Sequence, residues 1–420
     1  MYENGEIQEK AILAGVHCGL ADSLKDTTEE SMRELELLAA TAGAEVVGTL
    51  IQNREAPDKA TYVGEGKLAE IAAACETLGA NLVIFDDELT GSQLKNIEKA
   101  LDGIRVIDRS ALILDIFAQR ALSGEGKLQV ELAQYKYNLP RLGGGYTSLS
   151  RLGGGIGTRG PGETKLETDR RYIRGRINAL ESEIRAIARH RELIRERRRK
   201  NETPVAALVG YTNAGKSTIL NALTEAGVLA EDMLFATLDP TARRITMPDG
   251  RESVLIDTVG FIRKLPHHLI EAFKSTLEEA VTADVLLHII DSSSEEMENQ
   301  TAVVDDLLRS LGCEQKPVIR VYNKIDLNKN FLPKPPYTQK SVFISAKSGE
   351  GIDTLIKELD YSLPGRRTKM RVLVPYTDGG ATNDIRLLDS LISEEYTPDG
   401  VMLEFMADEK ARSAFEKYEV

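Results

Sequence analysis

Short apolar runs alternate with amphipathic stretches over the first hundred residues. The apolar runs predict strands at residues 11–16, 45–51, 82–85 and 105–107. Between them, apolar residues recur every three or four positions, which predicts helices at residues 31–42, 67–78 and 92–101. Strands and helices that alternate at these lengths predict a small parallel sheet with helices on its faces. We expect this first domain to occupy residues 1–110.

A long helical region follows in two halves. Its apolar residues at heptad spacing are Leu128, Leu132, Tyr135 and Leu139 in the first half, and Ile173, Ile177, Leu180, Ile184, Ile187 and Ile194 in the second. Two helices with a non-helical separator most simply form an antiparallel pair. The separator, residues 140–162, contains too much glycine to form a core. Residues 111–200 are therefore expected to form a helical hairpin with a glycine-rich loop.

The rest of the chain predicts two further domains. Residues 201–364 contain continuous apolar strands, each ending in glycine or polar residues. After a short basic linker, residues 365–420 offer strands at 370–375 and 401–406 around a helix at 383–394. The expected fold class is α/β, with a phosphate-loop domain built on a parallel sheet. A small α/β domain and the helical pair precede that domain, and a small α+β domain follows it.

Composition narrows the class of protein. A chain of 420 residues with 42% hydrophobic and 28% charged residues is typical of a soluble protein of two to four domains. The longest apolar runs are too short to span a bilayer, and residues 1–10 are acidic, unlike a signal peptide. Three widely spaced cysteines fit a reducing compartment. We expect a cytoplasmic protein without a membrane span, and nothing demands more than a monomer.

Charge is segregated along the chain. The net charge is −13, yet residues 163–200 hold 13 basic and seven acidic residues and carry +6. This basic helical stretch can be a solvated face, but it lies next to a glycine-rich loop that contains Arg141, Arg151 and Arg159. We therefore favour contact of this stretch with nucleic acid over the interpretation that it is only a solvated helix face.

A phosphate-binding loop begins where the strand at residues 205–209 ends. Its residues are Gly210, Tyr211, Thr212, Asn213, Ala214, Gly215, Lys216, Ser217 and Thr218. Glycines let backbone N–H groups surround phosphates, and the following helix adds positive potential at its N-terminus. Lys216 can neutralise the outer phosphates, while the hydroxyl of Ser217 can bind Mg²⁺.

Three further strand-end motifs indicate guanine nucleotides. Their residues are Asp257, Thr258, Val259 and Gly260; Asn323, Lys324, Ile325 and Asp326; and Ser345, Ala346 and Lys347. The Asp257 carboxylate can hold the Mg²⁺ shell, and Gly260 lets its N–H approach the terminal phosphate. Asp326 can accept both N1–H and the 2-amino group of guanine, which adenine does not offer. A backbone N–H in the last motif can donate a hydrogen bond to guanine O6.

Together these motifs resemble the GTPases of the translation-factor class, and further strings are similar to the HflX family. They are Gly-Thr-Arg-Gly-Pro-Gly-Glu at 157–163, Leu-Glu-Thr-Asp-Arg-Arg at 166–171 and Phe-Ala-Thr-Leu-Asp-Pro-Thr at 235–241. The resemblance covers essentially the whole chain and is weakest at the C-terminal tail. It implies a magnesium-dependent GTPase that converts GTP to GDP, binds the large ribosomal subunit and its RNA, and splits or rescues stalled ribosomes.

The resemblance also implies roles for single residues. Thr237 would complete Mg²⁺ coordination in the GTP state and act in catalysis with Lys216 and Gly260. Its neighbours would lie at the nucleotide; they are Phe235, Ala236, Leu238 and Asp239. Phe261 stands where many regulatory GTPases carry a glutamine that orients water. Slow intrinsic turnover and activation by the ribosome are therefore implied.

Two alternatives remain open at this point. The chain could be a nucleotide-driven RNA remodeller or ribosome-assembly factor, with a second nucleotide site in residues 1–110. It could instead be a scaffold that binds GTP without turning it over. ATP binding after removal of the GTPase domain would favour the first, and multiple-turnover phosphate release would exclude the second.

Overall fold

The structure is a computed structural model of the chain. It describes residues 9–18, 28–142, 165–200, 203–224, 234–235, 238–266, 269, 274–327, 340–388 and 390–420. Within these ranges, no helix combines the length and apolar character needed to cross a membrane. The described strands form three sheets, of four, six and three strands.

The first domain is a parallel sheet covered by helices on both faces. Its elements are β1 (Lys10–His17), α1 (Thr28–Thr41), β2 (Glu45–Asn53), α2 (Glu65–Leu78), β3 (Leu82–Phe85), α3 (Gly91–Ala100) and β4 (Arg105–Asp108). The strand order is β2-β1-β3-β4. Leu13 packs with α1 on one face, and Ile12 packs with α2 on the other. The central strands β1 and β3 are therefore almost entirely apolar, whereas the edge strand β2 is only partly buried. Every predicted element of this domain is confirmed.

Helix α4 (Arg109–Arg120) was not predicted, and it begins at the limit expected for the first domain. The Asp108 carboxylate caps it by accepting the N–H of Ala111 at 2.9 Å. Its apolar face joins the core beside α1, and Phe117 continues that core toward the second sheet. Because α4 shares a core with both sheets, the structure does not define the domain boundary expected at residue 110, which stays a prediction.

The predicted antiparallel helical pair is confirmed as α5 (Gly124–Asn138) and α6 (Lys165–Lys200). Ion pairs Glu131–Arg176 and Glu125–Arg191 show that the two helices run in opposite directions. The apolar seam contains Leu132, Tyr135, Leu142, Ile173, Ile177 and Leu180. The prediction was wrong for Ile194, which is 40% exposed because α6 extends past the start of α5. There the neighbouring Arg195 pairs instead with Glu278 and Glu279.

Arg141 does not belong to a flexible cationic loop, contrary to expectation. It lies in a short 3-10 turn, Leu139–Arg141, and its side chain is 4% exposed. Its guanidinium pairs with Glu88 at 2.9 Å and Asp108 at 3.4 Å, and stacks on the ring of Tyr137. These contacts replace water around the charge and fix the residue. Arg151 and Arg159 lie outside the described residues.

The second sheet has the order β10-β9-β8-β5-β7-β6, with only β6 antiparallel to its neighbour. Its elements are β5 (Val205–Gly210), α7 (Lys216–Thr224), β6 (Thr241–Thr246), β7 (Glu252–Asp257), α8 (Lys274–Thr282), β8 (Val285–Asp291), α9 (Met297–Ser310), β9 (Val318–Asn323), β10 (Lys340–Phe343) and α10 (Ile352–Ser362). The carboxyl ends of the five parallel strands meet at one edge, where α/β sheets bind ligands.

The C-terminal module is antiparallel, with the order β11-β13-β12. Its elements are β11 (Thr368–Val374), α11 (Gly379–Arg386), β12 (Leu391–Thr397), β13 (Gly400–Ala407) and α12 (Glu409–Phe415). The two predicted strands are confirmed, but the helix predicted at residues 383–394 was wrong. The observed helix α11 ends at Arg386, and residues 391–394 of the predicted helix belong instead to the edge strand β12. There Glu394 pairs with Arg386 and lies opposite Leu403 of β13.

Candidate nucleotide-binding site

The predicted phosphate loop connects the end of β5 to the start of α7. The Lys216 ammonium donates to the carbonyl oxygens of Gly210, at 3.1 Å, and Tyr211, at 2.8 Å. Burial lowers the pKa of Lys216 to about 8, although the Asp257 carboxylate works against this. A phosphate bound at this ammonium would favour the charged form and raise the pKa again. The loop thus presents a buried cation and a helix N-terminus to an anion.

Gly215 has no room for a side chain in this loop. Its φ of +96° disfavours other residues, and a Cβ would lie 2.3 Å from the amide nitrogen of Asn323. The Asn323 amide approaches closely because it donates to the carbonyl of Ala214 at 2.9 Å. Its oxygen accepts the N–H of Ala346 at 3.0 Å. Asn323 therefore joins the phosphate loop to the predicted guanine-binding segment.

The predicted base-binding residues converge at the ends of β9 and β10. Lys324, at a φ of +65°, pairs with Asp291 at 2.8 Å and fixes the turn after β9. The N–H of Ile325 donates to the carbonyl of Ile344, and Ser345 is fully buried. Asp326 is half-buried and Lys347 is exposed. This arrangement places the Asp326 carboxylate and the backbone of the loop after β10 close to the phosphate loop.

The metal-binding pair predicted from the sequence is also brought together. Asp257, at the end of β7, is fully buried, and Ser217 donates its hydroxyl proton to the Asp257 carboxylate at 2.7 Å. Carboxylate and hydroxyl oxygens are the donors that Mg²⁺ prefers. The next two side chains do not face this pair, since Thr258 donates to the carbonyl of Leu208 at 2.7 Å and Val259 joins the core.

Gly260 and Phe261 lie along the edge of the phosphate loop. The N–H of Phe261 donates to the carbonyl of Gly210 at 3.1 Å, and its carbonyl accepts the N–H of Thr212 at 2.8 Å. The Phe261 ring is 1% exposed and packs in the core, so it offers nothing that could orient a water molecule. The backbone of this segment, rather than its side chains, is available to the phosphates.

The segment predicted to close over the terminal phosphate is described only in part, because Ala236 and Thr237 lie outside the described residues. Phe235 and Leu238 are buried, and the Phe235 ring meets Phe117 of α4 edge-on at 4.7 Å. Neither side chain is therefore free to contact a nucleotide in this conformation.

Asp239 has a different role from the one expected. Its carboxylate accepts the backbone N–H groups of Leu122 at 3.0 Å and Ser123 at 2.7 Å, and the hydroxyl of Ser123. It thereby caps the N-terminus of α5, where a negative charge is favoured. A Cβ on Gly126 would lie 2.3 Å from this carboxylate. The contacts do not support the expectation that Asp239 binds the nucleotide.

A charged interface, which no motif in the sequence indicates, connects the first domain to this site. Arg109, 1% exposed, pairs with Glu34 at 2.6 Å and Asp86 at 3.1 Å. Lys264 also pairs with Asp86, at 2.6 Å. Burial disfavours the charged form of Asp86, but Arg109 and Lys264 outweigh it and lower the pKa of that carboxyl. Asp86 follows β3 where the strand order of the first sheet reverses, so Lys264 lies where a ligand of such a sheet would bind.

Substitution of the two hydroxyl residues predicted to bind Mg²⁺ is expected to separate effects on GTP hydrolysis from effects on GDP binding. Ser217→Ala and Thr237→Ala should both weaken magnesium-dependent GTP hydrolysis, because each removes one oxygen donor. Thr237→Ala should leave GDP affinity within about twofold, since the Mg²⁺ coordination implied for Thr237 belongs to the GTP state. Titration of each variant with GDP and with a non-hydrolysable GTP analogue measures the difference. Equal losses for the two nucleotides would show that Thr237 is structural.

Three family descriptions match successive parts of the chain. Residues 29–118 match "GTP-binding GTPase N-terminal", residues 120–198 match "GTP-binding GTPase Middle Region", and residues 205–324 match "50S ribosome-binding GTPase". These matches cover the first domain, the helical pair and most of the second sheet.

Full-length relatives carry one common description, "GTPase HflX". The protein from Caldanaerobacter subterraneus is 52% identical over 401 residues, covering 96% of this chain and 91% of the relative. That from Lacrimispora saccharolytica is 51% identical and covers 96% and 94%, respectively. The Escherichia coli protein is 43% identical and covers 95% and 93%. The similarity therefore extends over every domain rather than over the phosphate-loop domain alone.

Proposed function

Because the chain belongs to the HflX family of GTPases, we propose that it couples GTP binding and hydrolysis to splitting or rescue of stalled ribosomes. In this proposal it acts as a cytoplasmic monomer and binds the large ribosomal subunit and its RNA. The single observation that carries the ribosome role is the match of residues 205–324 to a 50S ribosome-binding GTPase. The basic helix α6 supports contact with RNA phosphates.

The enzyme is a GTP phosphohydrolase, and we propose the following roles for its site residues. Lys216 would neutralise the β- and γ-phosphates, and Asp326 would accept the two guanine N–H donors. The Ser217–Asp257 pair and Thr237 would hold Mg²⁺, whose chemistry is to neutralise charge that develops on the phosphate oxygens. The Gly260 N–H would donate to the terminal phosphate. Since Phe261 cannot orient water, other groups or the ribosome would do so.

Both segments proposed to lie at the terminal phosphate contact other domains, and one of these is the helical pair proposed to bind RNA. After Gly260, Arg263 pairs with Glu30 of α1 and Lys264 pairs with Asp87 after β3. Asp239, two residues after Thr237, caps α5. A change in either segment between the GTP and GDP states would therefore bias the position of the first domain or of the helical pair.

The alternative of a second nucleotide site in residues 1–110 has less support. The crevice at the carboxyl ends of β1 and β3 is the expected ligand position in such a sheet. Here it holds the Lys264 ammonium, which pairs with Asp86 at 2.6 Å and Asp87 at 2.8 Å. A bound nucleoside triphosphate would have to displace this cation and would then face the carboxylates of Asp86 and Asp87.

Sedimentation with ribosomes tests the proposal. We expect the protein to co-sediment with the large subunit in GTP or a non-hydrolysable analogue, and much less in GDP. Hydrolysis should be slow alone and strongly stimulated by that subunit, because Phe261 leaves the water unpositioned. Fast hydrolysis that ribosomes do not alter, or equal sedimentation in all nucleotides, would contradict the proposal.

Substitutions in the glycine-rich loop, used in the same experiment, test whether this loop contacts ribosomal RNA. Replacing Arg151 and Arg159 by alanine should lower ribosome affinity and reduce the log–log salt slope by about one per lost phosphate contact. GTP binding should be retained. Arg309→Ala is the matched control, because Arg309 is an exposed arginine of α9 that pairs only on the surface with Asp306 and Glu314. If the double variant behaves like this control, the glycine-rich loop does not bind RNA.

A further inference from the structure

Tyr211 belongs to the phosphate loop by its backbone but not by its side chain. Its carbonyl accepts a hydrogen bond from Lys216, whereas its ring is 5% exposed and extends toward helix α1. There the hydroxyl donates to the carboxylate of Glu34. The same oxygen accepts the backbone N–H of Arg263 at 3.0 Å. One phenol therefore joins the phosphate loop, the first domain and the segment after Gly260.

The three groups allow a single arrangement of the phenol proton. A carboxylate only accepts and a backbone N–H only donates, so the phenol must donate to Glu34 and accept from Arg263. Burial and the charge of Glu34 raise the pKa of the Tyr211 phenol, which stays protonated. Arg109 pairs with Glu34 at 2.6 Å and so orients the carboxylate. The first domain thus sets the direction of the phenol.

The bond to Arg263 extends a series of contacts that begins beside Gly260. Phe261 is held by two backbone hydrogen bonds to the phosphate loop, which no side-chain substitution removes. The Arg263 N–H, two residues later, is buried and depends on a side-chain oxygen instead. Without the phenol oxygen this N–H would lose its acceptor, and a buried donor without an acceptor disfavours the conformation that contains it. The segment would then detach from the loop more often.

We propose that Tyr211 is a positioning residue for GTP hydrolysis, whose phenol, oriented by Glu34, holds the segment after Gly260 against the phosphate loop. Its effect is exerted through Gly260, whose N–H must stay at the terminal phosphate during the reaction. GDP lacks the γ-phosphate that the Gly260 N–H is proposed to contact, so GDP binding does not depend on this contact. The first domain, although it lies outside the nucleotide site, then contributes Glu34 to turnover.

The test is a double-mutant cycle on the full chain without ribosomes, so its outcome is independent of the proposed ribosome role. Tyr211→Phe and Glu34→Ala should each lower kcat about tenfold, the cost of one buried donor losing its acceptor. GDP affinity should stay close to that of the parent in both variants. Tm should stay close in Tyr211→Phe but fall in Glu34→Ala, because the buried Arg109 then loses a carboxylate partner. The double variant should be no slower than Tyr211→Phe, because Glu34 acts through the phenol, which that substitution has already removed. Hydrogen exchange at residues 261–264 should accelerate in all three.

Two further variants separate positioning from stability. Glu34→Gln keeps a carbonyl oxygen that can accept the hydrogen bond of the phenol, so it should retain most of kcat even if Glu34→Ala folds poorly. Tyr418→Phe is the matched control, since Tyr418 makes the same phenol–carboxylate bond with Asp378 in the C-terminal module. A parent-like kcat in Tyr211→Phe would overturn the proposal. So would additive losses in the double variant, or a loss of GDP affinity as large as the loss in kcat.

Discussion

Replacing Gly260 by alanine is expected to lower kcat for GTP hydrolysis by about 10²–10³-fold, as the loss of one donor to a transition-state oxygen does elsewhere. A Cβ on Gly260 would lie 2.9 Å from the Cα of Thr212 and 3.0 Å from the Lys216 ammonium. The lysine end can move, but the backbone of Thr212 cannot, because its N–H is bonded to Phe261. The segment would shift outward and carry the Gly260 N–H away from the terminal phosphate.

Single-turnover hydrolysis with saturating protein measures this loss without product release. GDP affinity should change much less than kcat, since GDP lacks the γ-phosphate that the Gly260 N–H is proposed to contact. Gly175→Ala is the control, because a Cβ on this glycine of α6 has nothing within 4 Å and alanine favours a helix. Parent-like turnover in Gly260→Ala would show that the phosphate loop tolerates the added methyl group, and that Gly260 does not position the reaction.

Burial on both faces explains which parts of the fold could be predicted from the sequence. Strand β3 (Leu82–Phe85) is buried at all four positions, and its bounds were predicted to the residue. Strand β6 (Thr241–Thr246) has one buried side chain, Ile245, so no apolar run marks it. In β12 (Leu391–Thr397), Leu391 continues the helical spacing of Ile385 and Leu388, so the sequence pattern predicted a helix where the structure has a strand. Pairing with β13, which the local pattern does not contain, decides its structure.

The nucleotide site was predictable because its chemistry is local to strand ends. Asp257 and Asn323 each follow an apolar strand directly, and parallel strands bring such ends to one edge. The contacts of Tyr211 and Arg263 with the first domain were not predictable. Their partners lie 177 and 233 residues away in the sequence, and no spacing rule connects a phosphate-loop tyrosine with a glutamate of α1. Those contacts are tertiary, and only the structure places them together.

Replacing Asp326 by asparagine is expected to weaken GTP binding by about 10²–10⁴-fold, because guanine loses two charge-assisted hydrogen bonds of about 1.5–3 kcal/mol each. Asp326 is half-buried at the end of β9, and Asn323 and Lys324 fix the turn that presents it. An asparagine amide accepts the N1–H through its oxygen but turns an NH₂ donor toward the guanine 2-amino group. Two donors then face each other, and the pair is repulsive.

Xanthosine triphosphate provides the compensating test, since its 2-oxo group accepts from that NH₂. The variant should bind and hydrolyse xanthosine triphosphate better than GTP, reversing the preference of the parent. Direct titration of the parent and the variant with fluorescent analogues of GTP and of xanthosine triphosphate gives the two affinities. Asp306→Asn is the matched control, because this aspartate of α9 is 69% exposed and pairs with Arg309 on the surface. If Asp326→Asn binds GTP as tightly as this control does, another group reads the base, and the assignment of Asp326 fails.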